Sequence, residues 1–236
     1  MAIGDRREAH VPGRHDTRTW TRSRRRGVAL ALAGVLGLAA CGSSKYTYVA
    51  NTTDKTFMRV PKEWKVLEVP GATEKGATTP PPWQRVFDGS AEPALTHIDQ
   101  DSPAEPAGRL TVFYVSASTA DTLSPEDLRA AVSPLKADPL TLSDSSSKTN
   151  GEVKDFKIDT RDGGLKGSHV VYEIESGSGM VTFDQTTLLD PQQYPNPLTG
   201  AGMFKVYVLS VHCNSECYEK NKVKIADVVN SWTVTR

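Results

Sequence analysis

Residues 170–184 read VVYEIESGSGMVTFD. Val170, Tyr172 and Ile174 alternate with Val171, Glu173 and Glu175, and beyond Ser176-Gly177-Ser178-Gly179 the same period sets Val181 and Phe183 against Thr182 and Asp184. A period of two on both sides of a Gly/Ser turn marks a β-hairpin with one apolar and one polar face. Leu110–Val115 and Phe204–Val211 are apolar on both faces, which places them as central strands of the same sheet. Shorter strands are expected at Phe57–Val60, stopped by Pro61, at Lys62–Leu67, and at Trp83–Phe87, broken by Asp88-Gly89. Trp64 is the expected core anchor.

Two helices interrupt the strands. Ser124-Pro125-Glu126-Asp127-Leu128 carries a capping hydroxyl, a first-turn Pro and two acids at the positive dipole end. Near the C-terminus, Val223, Ala226 and Val229 mark one side of a second helix, with Ile225, Val228 and Trp232 adjoining. Between the two, Pro134–Glu152 is rich in Ser, Asp and Lys and reads as mobile surface.

The formal net charge of zero hides two unlike pieces. Residues 1–26 hold eight Arg against Asp5, Glu8 and Asp16, net +5. From Cys41 onward, 20 Lys and Arg face 25 Asp and Glu, net −5, with no basic block. Nucleic acid is therefore not an expected partner. Arg22, Arg24, Arg25 and Arg26 precede an apolar run, Gly27–Ala40, which is too short to span a bilayer and has the form of a signal peptide. It ends in Leu38-Ala39-Ala40-Cys41-Gly42.

That ending resembles the bacterial lipobox, which implies that the Cys41 thiol receives diacylglycerol and that the preceding bond is cut. The mature protein would be a lipoprotein held on the extracytoplasmic face of the cell membrane by at least two acyl chains, palmitate among them. Ser23-Arg24-Arg25-Arg26 also resembles the twin-arginine export signal, although Gly27 stands where a large apolar residue is preferred. The Lys-free, Arg-rich head suggests a GC-rich genome such as an actinobacterial one. The expected layout is a signal peptide over 1–40, a polar tether over 41–53 that lets the domain stand off the lipid surface, and one domain over 54–236.

Phe57 with Pro61-Lys62-Glu63-Trp64, Val69-Pro70-Gly71, Phe87-Asp88, Leu110–Ser116, Ser124–Leu128, Tyr172-Glu173, Lys205–Leu209 and Ser231–Val234 follow one another in an order that resembles the PsbP-like fold. That fold is shared by actinobacterial lipoproteins of the LpqN/LpqT type. The resemblance implies an α+β architecture, a twisted, mainly antiparallel sheet packed by helices as an α/β/α sandwich. It implies an accessory role in binding or scaffolding and brings no catalytic residues with it.

Cys213 and Cys217 sit where the last central strand meets the C-terminal helix. With Cys41 lipidated they are the pair left to form a disulfide in an oxidising compartment. An alternative takes His212, Cys213 and Cys217, with Met203, as soft ligands of a metal or redox carrier. Glu173, Glu175 and Asp184 are expected on one outward face of the hairpin, as an acidic patch open to a basic partner. Asp99 and Asp101 beside His97, and Asp159 with Asp162-Gly163, hint at calcium without completing a loop of ligands. No motif for a nucleophile, a paired-His site or a phosphate cradle is present, and none of His97, His169 and His212 has a neighbour that suggests a triad. No cofactor is expected. The reading is of a non-catalytic domain that binds an envelope protein or a small envelope ligand, with a metal carrier or a cryptic enzyme as alternatives.

Overall fold

The structure, a computed structural model, describes residues 45–69, 77–100, 102–124, 128 and 151–235. Its strands are β1 (Tyr46–Asn51), β2 (Thr56–Pro61), β3 (Lys65–Glu68), β4 (Trp83–Asp88), β5 (Ala107–Ser116), β6 (Gly151–Arg161), β7 (Leu165–Ser176), β8 (Gly179–Pro195), β9 (Gly202–Asn214) and β10 (Thr233–Val234). Seven form one sheet in the order β3-β4-β5-β9-β8-β7-β6, and β1-β2-β10 form a second. Every pairing is antiparallel. The α+β class expected from the sequence is the class observed. Tyr172 pairs with Phe183 and Ile174 with Val181, as the alternation in the hairpin requires. β5 and β9 lie side by side at the centre, which is why both are apolar on both faces.

One face of the large sheet is covered by the three-stranded sheet and by the C-terminal helix, Ser215–Ser231. The helix starts on Asn214, whose side chain accepts from the Cys217 amide. Its buried residues include Tyr218, Asn221, Ile225, Val228 and Val229, which pack with Leu110, Leu188, Leu209, Val211 and Trp232. Val223 is 84% exposed, so the stripe proposed through Val223 and Ala226 is out of phase. Spacings of three and four through Tyr218, Asn221, Ile225, Val228 and Trp232 give the true face, and a polar Asn221 within it obscured the pattern. Phe87 lies flat over β5 because Gly108 beneath it has no side chain; a Cβ there would stand 2.2 Å from the ring. Trp64 stacks on Phe87 at 5.8 Å, the core position expected of it.

The opposite face is covered in part by the short helix Leu95–Ile98, which packs Ile98 on Val86 and Ala107, and by Leu128 against Val206 and Val208. Leu128 donates to the Ser124 carbonyl, while the rest of the helix expected there, and residues 134–150 of the expected mobile stretch, lie outside the described residues; its last two, Gly151 and Glu152, open β6. Cys41 and the signal segment lie outside them too. The expected polar tether needs correcting: Tyr46–Asn51 form β1, register-paired with β2, and Val49 is buried in the core. Ordered pairing begins eight residues before the expected domain start at Asp54. No helix among the described residues is long and apolar enough to cross a membrane.

Candidate functional site

The antiparallel register of β7 and β8 sets His169 opposite Thr186 and Val171 opposite Asp184. From that diagonal position His169 Nε2 reaches Asp184 Oδ1 at 2.7 Å, and the Tyr218 hydroxyl, on the C-terminal helix, donates to Asp184 Oδ2 at 3.0 Å. Asp184 is buried, whereas His169 keeps 22% of its side chain exposed. The imidazole is thus held by a carboxylate that is itself held from the helix. Burial and the neighbouring Asp184 push the Tyr218 phenol well above its ordinary range, so it remains a donor.

Beside this trio opens a cleft of about 680 Å³ between β6, β7 and the end of the C-terminal helix. Arg161 forms one wall. It donates to Asp159 through Nε at 2.9 Å and to the Trp232 carbonyl at 2.9 Å, with its guanidinium over the Trp232 ring at 4.8 Å. Lys157, Asn230, Thr186 and Val229 line the cleft as well. Thr186 Oγ1 is buried and meets no hydrogen-bond partner among the described residues. A hydroxyl in that condition costs roughly 1–3 kcal/mol unless something supplies its bond. Chemically the cleft offers bonded donors and acceptors beside the apolar side chains of Ile158, Val229, Trp232 and Val234, groups that a ligand site combines.

The predicted residues are distributed as follows. Cys213 and Cys217 are joined, with Cα atoms 5.9 Å apart, at the corner between β9 and the helix. His212 and Cys213 are consecutive on β9 and face opposite sides of the sheet, and Met203 lies at the far end of that strand, so the proposed soft ligand set does not converge. Glu173, Glu175 and Asp184 do share a face, but the first residues of the helix cover part of it. Glu173 accepts from Ser215 at 3.0 Å and Thr182 at 3.1 Å and bridges to Lys154 at 3.0 Å. Burial raises its pKa, and these bonds more than offset that, holding it below the usual range. Asp184 is spent on His169 and Tyr218, and Glu175 alone is exposed. The acidic patch is therefore corrected to a partly covered, internally paired polar face.

Of the carboxylates named for calcium, Asp159 is bound to Arg161 and Asp99 to Arg109, Asp162 begins a short turn before β7, and Asp101 lies outside the described residues; no group of three or more His, Cys, Asp or Glu that could hold a metal ion occurs among the described residues. His97 Nδ1 meets Asp88 at 2.8 Å and Ser90 at 3.2 Å. Because Ser90 and Asp88 share one ring nitrogen, this trio is not arranged to relay a proton from hydroxyl to carboxylate. Asp88 also accepts from the Ser90 and Ala94 amides, so it organises a loop.

The sequence matches no family model and no curated protein. Among solved structures, the chain is similar to cyanobacterial PsbP (CyanoP) from Synechocystis, at 15% identity over 84% of this chain and 99% of that one, with a TM-score of 0.44. It is similar to LpqN, involved in cell envelope biogenesis of Mycobacterium tuberculosis, at 13% identity over 83% and 88%, with a TM-score of 0.42. A Pseudomonas aeruginosa protein of unknown function matches at 7% identity over 81% and 97%, with a TM-score of 0.38. The chemistry of the cleft is read from this chain's own residues.

Sequence reasoning missed the cleft. His169 and Asp184 are fifteen positions apart and meet only through the strand register, and Tyr218 and Arg161 arrive from two other elements. The one available signal was that His169 falls on the same side of the hairpin as Asp184.

Proposed function

We propose that the chain is an exported lipoprotein, anchored through Cys41 to the outer face of the membrane, whose folded domain binds a small envelope ligand in the cleft beside His169. The lipobox-like sequence supports the anchor. The observation that carries the binding reading is the buried Thr186 hydroxyl, left without a partner on a residue that lines the cleft beside His169 and Arg161, both of which are held by their own bonds. A ligand oxygen or amide that met Thr186 and the open edge of His169 would complete the site without any reaction.

A second reading, a cryptic enzyme, is favoured by the His169–Asp184 pair, since a carboxylate that orients an imidazole also suits it to act as a base. One experiment separates the two. The detergent-solubilised protein is incubated with a small-molecule extract of bacterial envelopes and examined by native mass spectrometry. The binding reading expects one component retained with its mass unchanged, and its loss in the Thr186→Val variant. Retention of nothing contradicts the reading, and release of a component with altered mass transfers the site to the enzyme.

A further inference from the structure

β1 fixes how far the domain can stand from its anchor. Only Gly42, Ser43 and Ser44 separate Cys41 from Lys45, and the Lys45 carbonyl already accepts from the Lys62 amide at 3.0 Å where β1 and β2 begin to pair. Four extended residue steps reach about 14 Å. The headgroup layer of one leaflet is itself roughly 5–8 Å deep, so the residues that open β1 stay within reach of it.

The surface at that edge has interfacial chemistry. Tyr48 is 73% exposed, and Tyr46 lies two residues before it on the same side of the strand. A shallow groove of about 400 Å³ runs past Tyr48, Ala50 and Phe57, and a second of about 330 Å³ is bordered by Lys45, Lys62 and Lys224. The acids of this edge are engaged, Asp227 with Arg59 and Glu63 with Lys224 at 2.9 Å. Tyrosine is favoured at membrane interfaces, where its ring is sheltered and its hydroxyl stays wet, and lysines attract anionic headgroups. Elsewhere the mature chain is acidic on balance, so this edge differs in sign from the chain as a whole.

We infer that the domain sits against the bilayer through β1, with Tyr48 in the headgroup layer and Lys45 and Lys62 on anionic lipid phosphates, which leaves the hairpin tip at Ser178 pointing away. The inference rests on lipid attachment at Cys41. The occupant of this edge is the lipid surface that holds the anchor. The β7–β8 hairpin that carries Ser178 meets the start of the C-terminal helix through Thr182 and Ser215, whereas Tyr48 borders Asn230 near the end of that helix, so the two labels report its opposite ends.

The full lipoprotein, with a fluorophore on Tyr48→Cys or on Ser178→Cys, is placed in vesicles of phosphatidylcholine and phosphatidylglycerol that contain a headgroup-level lipid quencher. The mass of Cys41 is measured on the same samples. Seating expects severalfold stronger quenching at position 48 than at 178, with that excess lost when twenty Gly/Ser residues are inserted after Ser44 and Lys45 and Lys62 are replaced by Gln. Equal quenching at both positions on a diacylated protein overturns the seating and leaves the anchor intact. An unmodified Cys41 overturns both.

Discussion

His169 and His212 lie on opposite faces of one sheet and meet the cost of an inward imidazole in different ways. His169 gives Nε2 to Asp184, shares that carboxylate with Tyr218, and keeps an edge open to the cleft. His212 is 2% exposed and stacks on Phe183 at 5.0 Å, which stacks in turn on Tyr172 at 4.9 Å. Its Nε2 finds no partner among the described residues, and Ser168 and Ser210 on the same face have unpartnered hydroxyls as well. The first histidine is positioned at water by its bonds, as a ligand-contacting group must be. The second is an apolar filler that happens to titrate. The pairing around Asp184 supports a site, whereas the burial of His212 makes the other face sensitive to acid.

Removing the centre of the first network should have the largest effect. Asp184→Ala strips His169 and Tyr218 of a shared charged acceptor, and two such bonds at 1.5–3 kcal/mol each predict a loss of roughly 4 kcal/mol, measured by urea denaturation. A loss below about 1 kcal/mol would mean that the trio does not hold the cleft.

His212 comes next. Burial lowers its pKa to about 4, with a weaker opposing contribution from its hydrogen bond to the Gln100 backbone. The folded state therefore binds the proton less readily than the unfolded chain. Its neutral form contributes stability that is complete above the unfolded value near 6.5 and is lost as pH falls toward 4. That contribution is on the order of 3 kcal/mol. His212→Phe, which keeps the stacked ring, should flatten the fall in urea midpoint between pH 6.5 and 4, and an unchanged slope would assign the acid sensitivity elsewhere.

Both histidines were visible in the sequence, but their difference was not. The hairpin was legible because Tyr172, Ile174, Val181 and Phe183 keep a strict period of two over a covered face. β5 and β9 were legible because central strands are apolar on both sides. β1 and β6 were not: both are edge strands, and β6 is mostly exposed along its length, with Lys154, Asp155, Lys157 and Asp159 where a buried strand would carry apolar side chains. β6 supplies Arg161 and one wall of the cleft, so a site built on it was hidden with it. The direction of Glu173 and Asp184 was wrong for a related reason. Alternation identifies a shared face, but only the packing of the C-terminal helix says that this face is partly covered.

The corner that sets that helix gives a smaller effect. Opening Cys213–Cys217 releases a short loop and should cost about 2 kcal/mol on the chain-entropy account, read as a lower melting temperature after reduction. No change would show that Asn214 and the core place the helix unaided. The smallest effect has the opposite sign. Thr186→Val removes a buried hydroxyl that no described residue satisfies, so it should stabilise the domain by about 1 kcal/mol while weakening retention of the envelope component. Destabilisation would mean that the hydroxyl serves the fold and not a ligand.

The membrane location of the proposed binding domain and the seating of β1 both depend on one thiol. Mass spectrometry of the N-terminal peptide from protein extracted from membranes of the producing cell tests this most directly. The account predicts a chain that begins at Cys41, its sulfur carrying diacylglycerol with at least two acyl chains in total. A Cys41 without lipid, or one still preceded by Leu38-Ala39-Ala40, would contradict it.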